Sequence, residues 1–168
     1  MAYTNHFVAS DNVINNLALL AASTPDPVLK GQLAGFAAVS ANTVYEMAIK
    51  AVFIDFAISK HKVLASFTAS HFSRINGKIS IKVIKEDYVP RFGDKYVVRF
   101  KRAITLLEKT ELRASGISVH SSYANLITWR NEFAHGGHAP ANATFADVAQ
   151  AYQTGKKVID TLANCMKR

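Results

Sequence analysis

The stretch from Val28 to about Ser59 constrains this chain more than any other. Residues recur at Leu29, Leu33, Phe36, Ser40, Val44, Met47, Ala51, Ile54 and Ile58. Steps of three and four place that series on one face of a helix and fit no strand. A helix of this length is a core element that other segments must cover. Its small residues, Gly31, Ala34, Gly35, Ala37, Ala38 and Ala41, predict a neighbour packed close against it. Polar residues interrupt the series and no flanking charge pattern accompanies it, so a coiled-coil or membrane-spanning reading is weaker. No run approaches the ~18 consecutive apolar residues that a membrane span requires, and no membrane association is expected.

The remaining segments also read as helices. About His6 to Ala22 is a first helix, ended by Ser23-Thr24-Pro25-Asp26-Pro27, because two prolines two apart cannot continue a helix interior. A third helix is predicted from Val63 to Ile75, stopped by Asn76-Gly77. The piece from Lys78 to Lys85 alternates Ile79, Ile81 and Val83 with polar residues, a period of two that suits a strand. A lone strand in a helical chain has no partner, so a short helix is the favoured reading. Pro90 and Gly93 punctuate the chain, Asp94 opens a helix to about Ala114, and Ser115-Gly116 ends it. A final amphipathic helix starts at Thr144-Phe145-Ala146-Asp147 with a capping-box pattern, and Gly155 is its weak point. No linker divides the chain, which predicts one domain over residues 1–168.

The most concentrated chemistry lies between residues 129 and 138, Trp-Arg-Asn-Glu-Phe-Ala-His-Gly-Gly-His. Tyr123, Leu126, Ile127 and Phe133 form an apolar stripe, Ser121 or Ser122 offers an N-cap, and Gly136-Gly137 supplies a stop. Asn131 and His135, four apart, share a helix face. Arg130 and His135 are five apart, about 140° around a regular helix. Arg130 therefore needs its long side chain, or a fraying last turn, to share a site with His135. A second spacing of this kind, Arg113 to His120, is broken by Ser115-Gly116.

This residue set suits metal-independent RNA cleavage. The reaction needs activation of a ribose 2′-OH, charge against the phosphorane and protonation of the 5′-oxygen. Histidine suits the proton transfers because its unperturbed pKa lies near neutrality. Arginine brings a fixed charge and a planar fork of donors that matches phosphate oxygens. Asn131 does not titrate and would orient a phosphate or the His135 ring. The expected roles are His135 as general base or acid, Arg130 as phosphate clamp and Asn131 as orienting group, with 2′,3′-cyclic phosphate products. One histidine per chain leaves the second proton transfer unassigned, and a two-fold dimer would supply it. Glu46, beside Tyr45 in the long apolar helix, needs a partner. It would sit in a half-buried ion pair, hold Arg130, or take part in catalysis.

Arg130-Asn131-Glu132-Phe133-Ala134-His135-Gly136 resembles the R-N-x-x-A-H-G signature of HEPN domains, and the RiboL-PSP-HEPN-like group most of all. The long helix with Tyr45-Glu46, the basic middle and the closing amphipathic helix extend the likeness over much of the chain. The resemblance implies an all-α, HEPN-like bundle of about five to seven helices that dimerises. It often implies an endoribonuclease acting as a toxin or in phage defence. Some HEPN domains only bind, so the alternative is a non-catalytic module for RNA or nucleotide, or for an antitoxin or nucleotidyltransferase partner.

Charge and the remaining residues narrow these readings. Net charge is +8, and residues 74–102 hold nine basic against three acidic groups, +6 of that total. This favours a polyanion such as RNA over a solvated basic face, with salt dependence to separate the two. His138, three after His135, would join a metal site only with further ligands that no spacing places, so no metal or cofactor is expected. Trp129 reads as core or dimer interface. His6, His61, His71 and His120 read as surface or capping residues. A single cysteine, Cys165, reads as a buried apolar group in a chain suited to the reducing cytoplasm, and residues 1–11 lack the pattern of a signal peptide. Phosphate-cradling glycine loops, zinc patterns and G-x-S-x-G turns are missing, so ATPase, zinc-finger and esterase readings have no support.

Overall fold

A computed structural model describes residues 2–167 of the chain. The helices are α1 (Ala2–Ser23), α2 (Pro27–Ile58), α3 (Lys62–Phe72), α4 (Ile81–Val83), α5 (Asp94–Ser115), α6 (Val119–Gly136) and α7 (Phe145–Met166). Between α4 and α5 the chain continues through a π turn, Ile84–Tyr88, and a 3₁₀ turn, Val89–Phe92. There is no strand among the described residues, so the expected all-α bundle is what forms.

The long helix α2 is the axis of the bundle. Helices α1, α3, α6 and α7 pack around it, and α5 lies on α7. Asp26 starts it by accepting the Val28 N–H at 2.8 Å, with Pro27 in the first turn, where a missing N–H costs nothing. The inward face is Leu33, Ala34, Ala37, Ala38, Ala41, Tyr45, Ala48, Ile49, Val52, Phe53 and Phe56. This face is rotated from the series expected from sequence. Phe36, Met47 and Ile58 are 56%, 44% and 63% exposed. The reason is that α2 is apolar nearly all round, so periodicity alone does not choose a side. The alanines decide it, because they let neighbouring helices approach closely. By length and mean hydropathy α2 is long and apolar enough to cross a bilayer, yet half of its most apolar window is buried within the bundle.

Three tyrosines knit the centre together. Tyr45 stacks on Tyr123 of α6 at 5.3 Å and on Tyr152 of α7 at 5.8 Å, and its hydroxyl donates to the Tyr152 carbonyl. Gly155, the weak point of α7 by propensity, is the seat of the Tyr45 ring, since a methyl group there would run into the phenol. Tyr3 donates to Asp160 at 2.9 Å and Lys156 pairs with Asp11 at 2.8 Å, fixing α1 against α7.

The helix ends follow local chemistry. The full capping box forms at Thr144 and Asp147. Helix α6 begins three or four residues earlier than a Ser121 or Ser122 cap requires, because Ser118 is the N-cap and accepts the Ser121 N–H at 3.0 Å. Helix α3 stops at Phe72, short of the expected Ile75. Its successor begins only after the loop 73–80, so the alternation at Ile79, Ile81 and Val83 spans a loop residue and a first helical turn.

Candidate functional site

The last two turns of α6 are pinned on their inner side. Trp129 is buried and its indole N–H donates to Asn142 at 3.0 Å, which fastens the segment beyond the helix. Phe133 lies over Gly35 of α2 and meets the Phe36 ring edge-on at 5.0 Å. With that face occupied, Asn131, Ala134 and His135 are exposed and Arg130 is half-buried. Gly137 closes the helix at φ 67°, its N–H bonded to the Phe133 carbonyl at 3.2 Å. The helix stays regular through Gly136, so the reach of Arg130, not fraying, spans the five-residue offset.

Arg130, Asn131 and His135 come together. Arg130 Nη1 donates to Asn131 Oδ1 at 2.9 Å and lies 3.2 Å from His135 Nε2. A guanidinium only donates, so the second contact is a hydrogen bond when Nε2 carries no proton. The cluster thus sets a fixed cation against one imidazole nitrogen on an exposed helix end.

Glu46 meets Arg130 only indirectly. Its carboxylate pairs with Lys50 at 2.6 Å and accepts the Gly77 N–H at 2.6 Å. Gly77, at φ 70°, in turn lies against the Arg130 guanidinium, with Nη1 and Nη2 both 3.9 Å from where a Cβ would stand. The half-buried ion pair is therefore with Lys50, and the direct Glu46–Arg130 pairing is replaced by a loop residue held between them. The same loop has two more fastenings. Tyr88 donates to the Lys78 carbonyl at 2.6 Å and Tyr123 to the Ile79 carbonyl at 2.8 Å. Burial pushes the phenol pKa of both tyrosines up, so both remain donors. By sequence, Asn76-Gly77 is a helix stop only. Nothing in it announced that three consecutive residues are tied by side chains from α2, the π turn and α6.

The other singled-out residues lie apart. His138 lines a groove with Val28, Gln32, Phe36 and Phe133, and its ring packs beside Gly136. No group of three or more His, Cys, Asp or Glu side chains is arranged for a metal ion among the described residues. His61 caps α3 by accepting the Val63 N–H, and the His120 N–H donates to Glu108. His71 is half-buried, with no hydrogen-bond partner for Nε2 among the described residues, which a surface or capping role did not anticipate. Cys165 is buried. The cations of the basic segment 74–102 have different surroundings. Lys85 pairs with Glu86 and Arg91 with Asp87, Lys95 and Arg99 lie over the Tyr96 ring, and Arg102 lines a groove between α5 and α7. Arg74 and Lys78 flank the loop that touches Arg130.

The family profile described as RiboL-PSP-HEPN matches residues 8–168. No curated protein and no solved structure matches the chain.

Proposed function

This chain belongs to the RiboL-PSP-HEPN family, and on that premise we propose that it is a metal-independent endoribonuclease of the toxin or phage-defence type. The supporting observation is the 3.2 Å approach of Arg130 Nη1 to His135 Nε2, on an exposed helix end. In the proposed reaction His135 takes the proton of the ribose 2′-OH. The 2′-oxygen bonds to phosphorus, the bond from phosphorus to the 5′-oxygen breaks, and that oxygen leaves with a proton. The products are a 2′,3′-cyclic phosphate and a 5′-hydroxyl, with no metal or cofactor taking part. Arg130 holds the non-bridging oxygens as charge builds on them. Asn131 accepts from Arg130 and keeps the fork aimed outward.

Two protons must move and each cluster holds one histidine able to move them, so the second comes from a second copy. The cluster is exposed at the end of α6, and the same helix end carries Phe133, which meets the exposed Phe36 of α2; a two-fold pairing at that end of the bundle would bring two clusters together. Purified protein is expected to cut RNA in EDTA. His135→Ala should lower the rate by about 10²–10⁴-fold, the usual contribution of a positioned acid–base group, and Arg130→Ala by about 10²–10³-fold, that of one charge-stabilising donor, with helical content unchanged. Cleavage that survives both substitutions rules the proposal out. The exposed, shallow setting of the cluster also suits a module that binds RNA, nucleotide or a partner such as an antitoxin or nucleotidyltransferase without turnover. Intact RNA retained in a salt-sensitive complex would favour that reading.

A further inference from the structure

We infer that the loop from Arg74 to Lys78 is a second phosphate subsite, holding the RNA backbone beside the scissile position. This rests on the ribonuclease reading of Arg130 and His135 and extends it to substrate binding. Three observations support it. The first is continuity with the cluster, since Gly77 packs on the Arg130 guanidinium with no side chain between them.

The second is rigidity. Gly77 N–H is held by Glu46, the Lys78 carbonyl by Tyr88 and the Ile79 carbonyl by Tyr123, at 2.6, 2.6 and 2.8 Å. A loop tied at three consecutive residues binds with little ordering cost. The ties fall on the Lys78 end of the loop and on the residue just beyond it.

The third is charge in a concave setting. Arg74 and Lys78 line a cavity of about 430 Å³ with Ser70, His71 and Tyr88. Neither cation has an ion-pair partner among the described residues. The one carboxylate on that wall, Asp87, is already bound by Arg91 at 2.6 Å. Elsewhere in the basic middle Lys85 and Arg91 are paired and Lys95 lies over an aromatic ring. Two cations without ion-pair partners among the described residues, on the loop whose Gly77 lies against Arg130, suit the backbone phosphates of a strand laid across Gly77.

The test uses the His135→Ala protein, which should bind RNA without cutting it, and a fluorescent mixed-sequence RNA oligonucleotide. Affinity is measured across a salt series. Each phosphate contact to a single strand contributes about 0.7 to the slope of log affinity against log salt. Arg74→Ala/Lys78→Ala should therefore reduce the slope by about 1.4 and weaken binding at least tenfold at low salt. Arg74→Lys/Lys78→Arg should keep both. Arg102→Ala/Lys167→Ala, which removes equal charge from the groove between α5 and α7, should leave the slope unchanged. In the otherwise native enzyme the first pair should raise KM and leave kcat within about twofold. Equal losses from both alanine pairs would mean diffuse attraction and overturn the subsite. An unchanged slope with Arg74→Ala/Lys78→Ala would also overturn it. Wild-type protein that never cuts RNA overturns the ribonuclease reading instead, and the two failures are separately visible.

Discussion

Glu46 is where residue-level physics separates a chemical role from a supporting one. Its two oxygens are occupied by Lys50 and by Gly77 N–H, and its side chain is 20% exposed. A carboxylate bound on both sides is poorly placed to exchange a proton with substrate, but well placed to hold the loop on Arg130. Glu46→Ala would leave a half-buried ammonium and a backbone N–H without partners. The expected loss is about 1–3 kcal/mol of unfolding free energy, the usual range for an unsatisfied group, read by urea denaturation. Glu46→Gln keeps an oxygen for Gly77 and should keep most of the cleavage rate. A dead but fully stable Glu46→Gln protein would instead make Glu46 a chemical participant. Gly155 argues similarly from packing. Its hydrogen faces the Tyr45 phenol, so Gly155→Ala should destabilise by about 1–3 kcal/mol through overpacking, where helix propensity alone predicts a gain. Propensity was legible in the sequence; the tyrosine standing over that glycine was not, since Tyr45 and Gly155 are distant in the chain.

At the scale of helices, what could be read depended on whether the signal was local. The Thr144–Asp147 box lies within four residues and forms as expected. The start of α6 is not legible in its own segment, because its cap is shared with another helix. Glu108 of α5 accepts the Ser118 hydroxyl at 2.7 Å and the His120 N–H at 3.0 Å. Burial pushes the Glu108 pKa up, but the Ser118 and His120 hydrogen bonds outweigh it and leave the carboxyl below its ordinary value. The Thr144 hydroxyl and N–H lower Asp147 in the same way. A depressed folded pKa means stability that is present above the unfolded value and is lost as pH falls through the folded one. Unfolding free energy should therefore decline on the acid side below about pH 4.5, starting from the ordinary carboxylate range. Glu108→Gln should remove part of that slope, measured by denaturant melts in an acid series. The segment after the loop 73–80 resisted reading for a different reason. Pro90 lacks an N–H and crowds the carbonyl four residues back, and the chain there widens into a π turn and then tightens into a 3₁₀ turn.

For the molecule as a whole, the cluster was legible because Arg130, Asn131 and His135 belong to one helix end, where spacing maps directly onto geometry. Its surroundings were not, because Glu46, Gly77 and Arg130 come from three elements and no period links them. The face of α2 was hidden as well. An all-round apolar helix leaves open which side meets its neighbours, and the bundle turned Phe36 outward beside Phe133. That outward side bears on the proposed dimer. The exposed apolar residues Leu29, Phe36 and Met47 fall on one stripe of α2 by spacing, and at Phe36 the stripe meets Phe133 of α6, the helix that holds the catalytic candidates. A stable pair needs about 1,200–2,000 Å² of total buried surface, with an aromatic anchor near its centre. Phe36 is the aromatic on this stripe and contacts the signature helix. Phe36→Asp should therefore convert a dimer to a monomer in sedimentation equilibrium and abolish RNA cleavage together, while the circular dichroism of the monomer stays helical. A monomeric Phe36→Asp protein that cuts at the wild-type rate would mean that one cluster suffices for both proton transfers, and the composite groove would have to be abandoned.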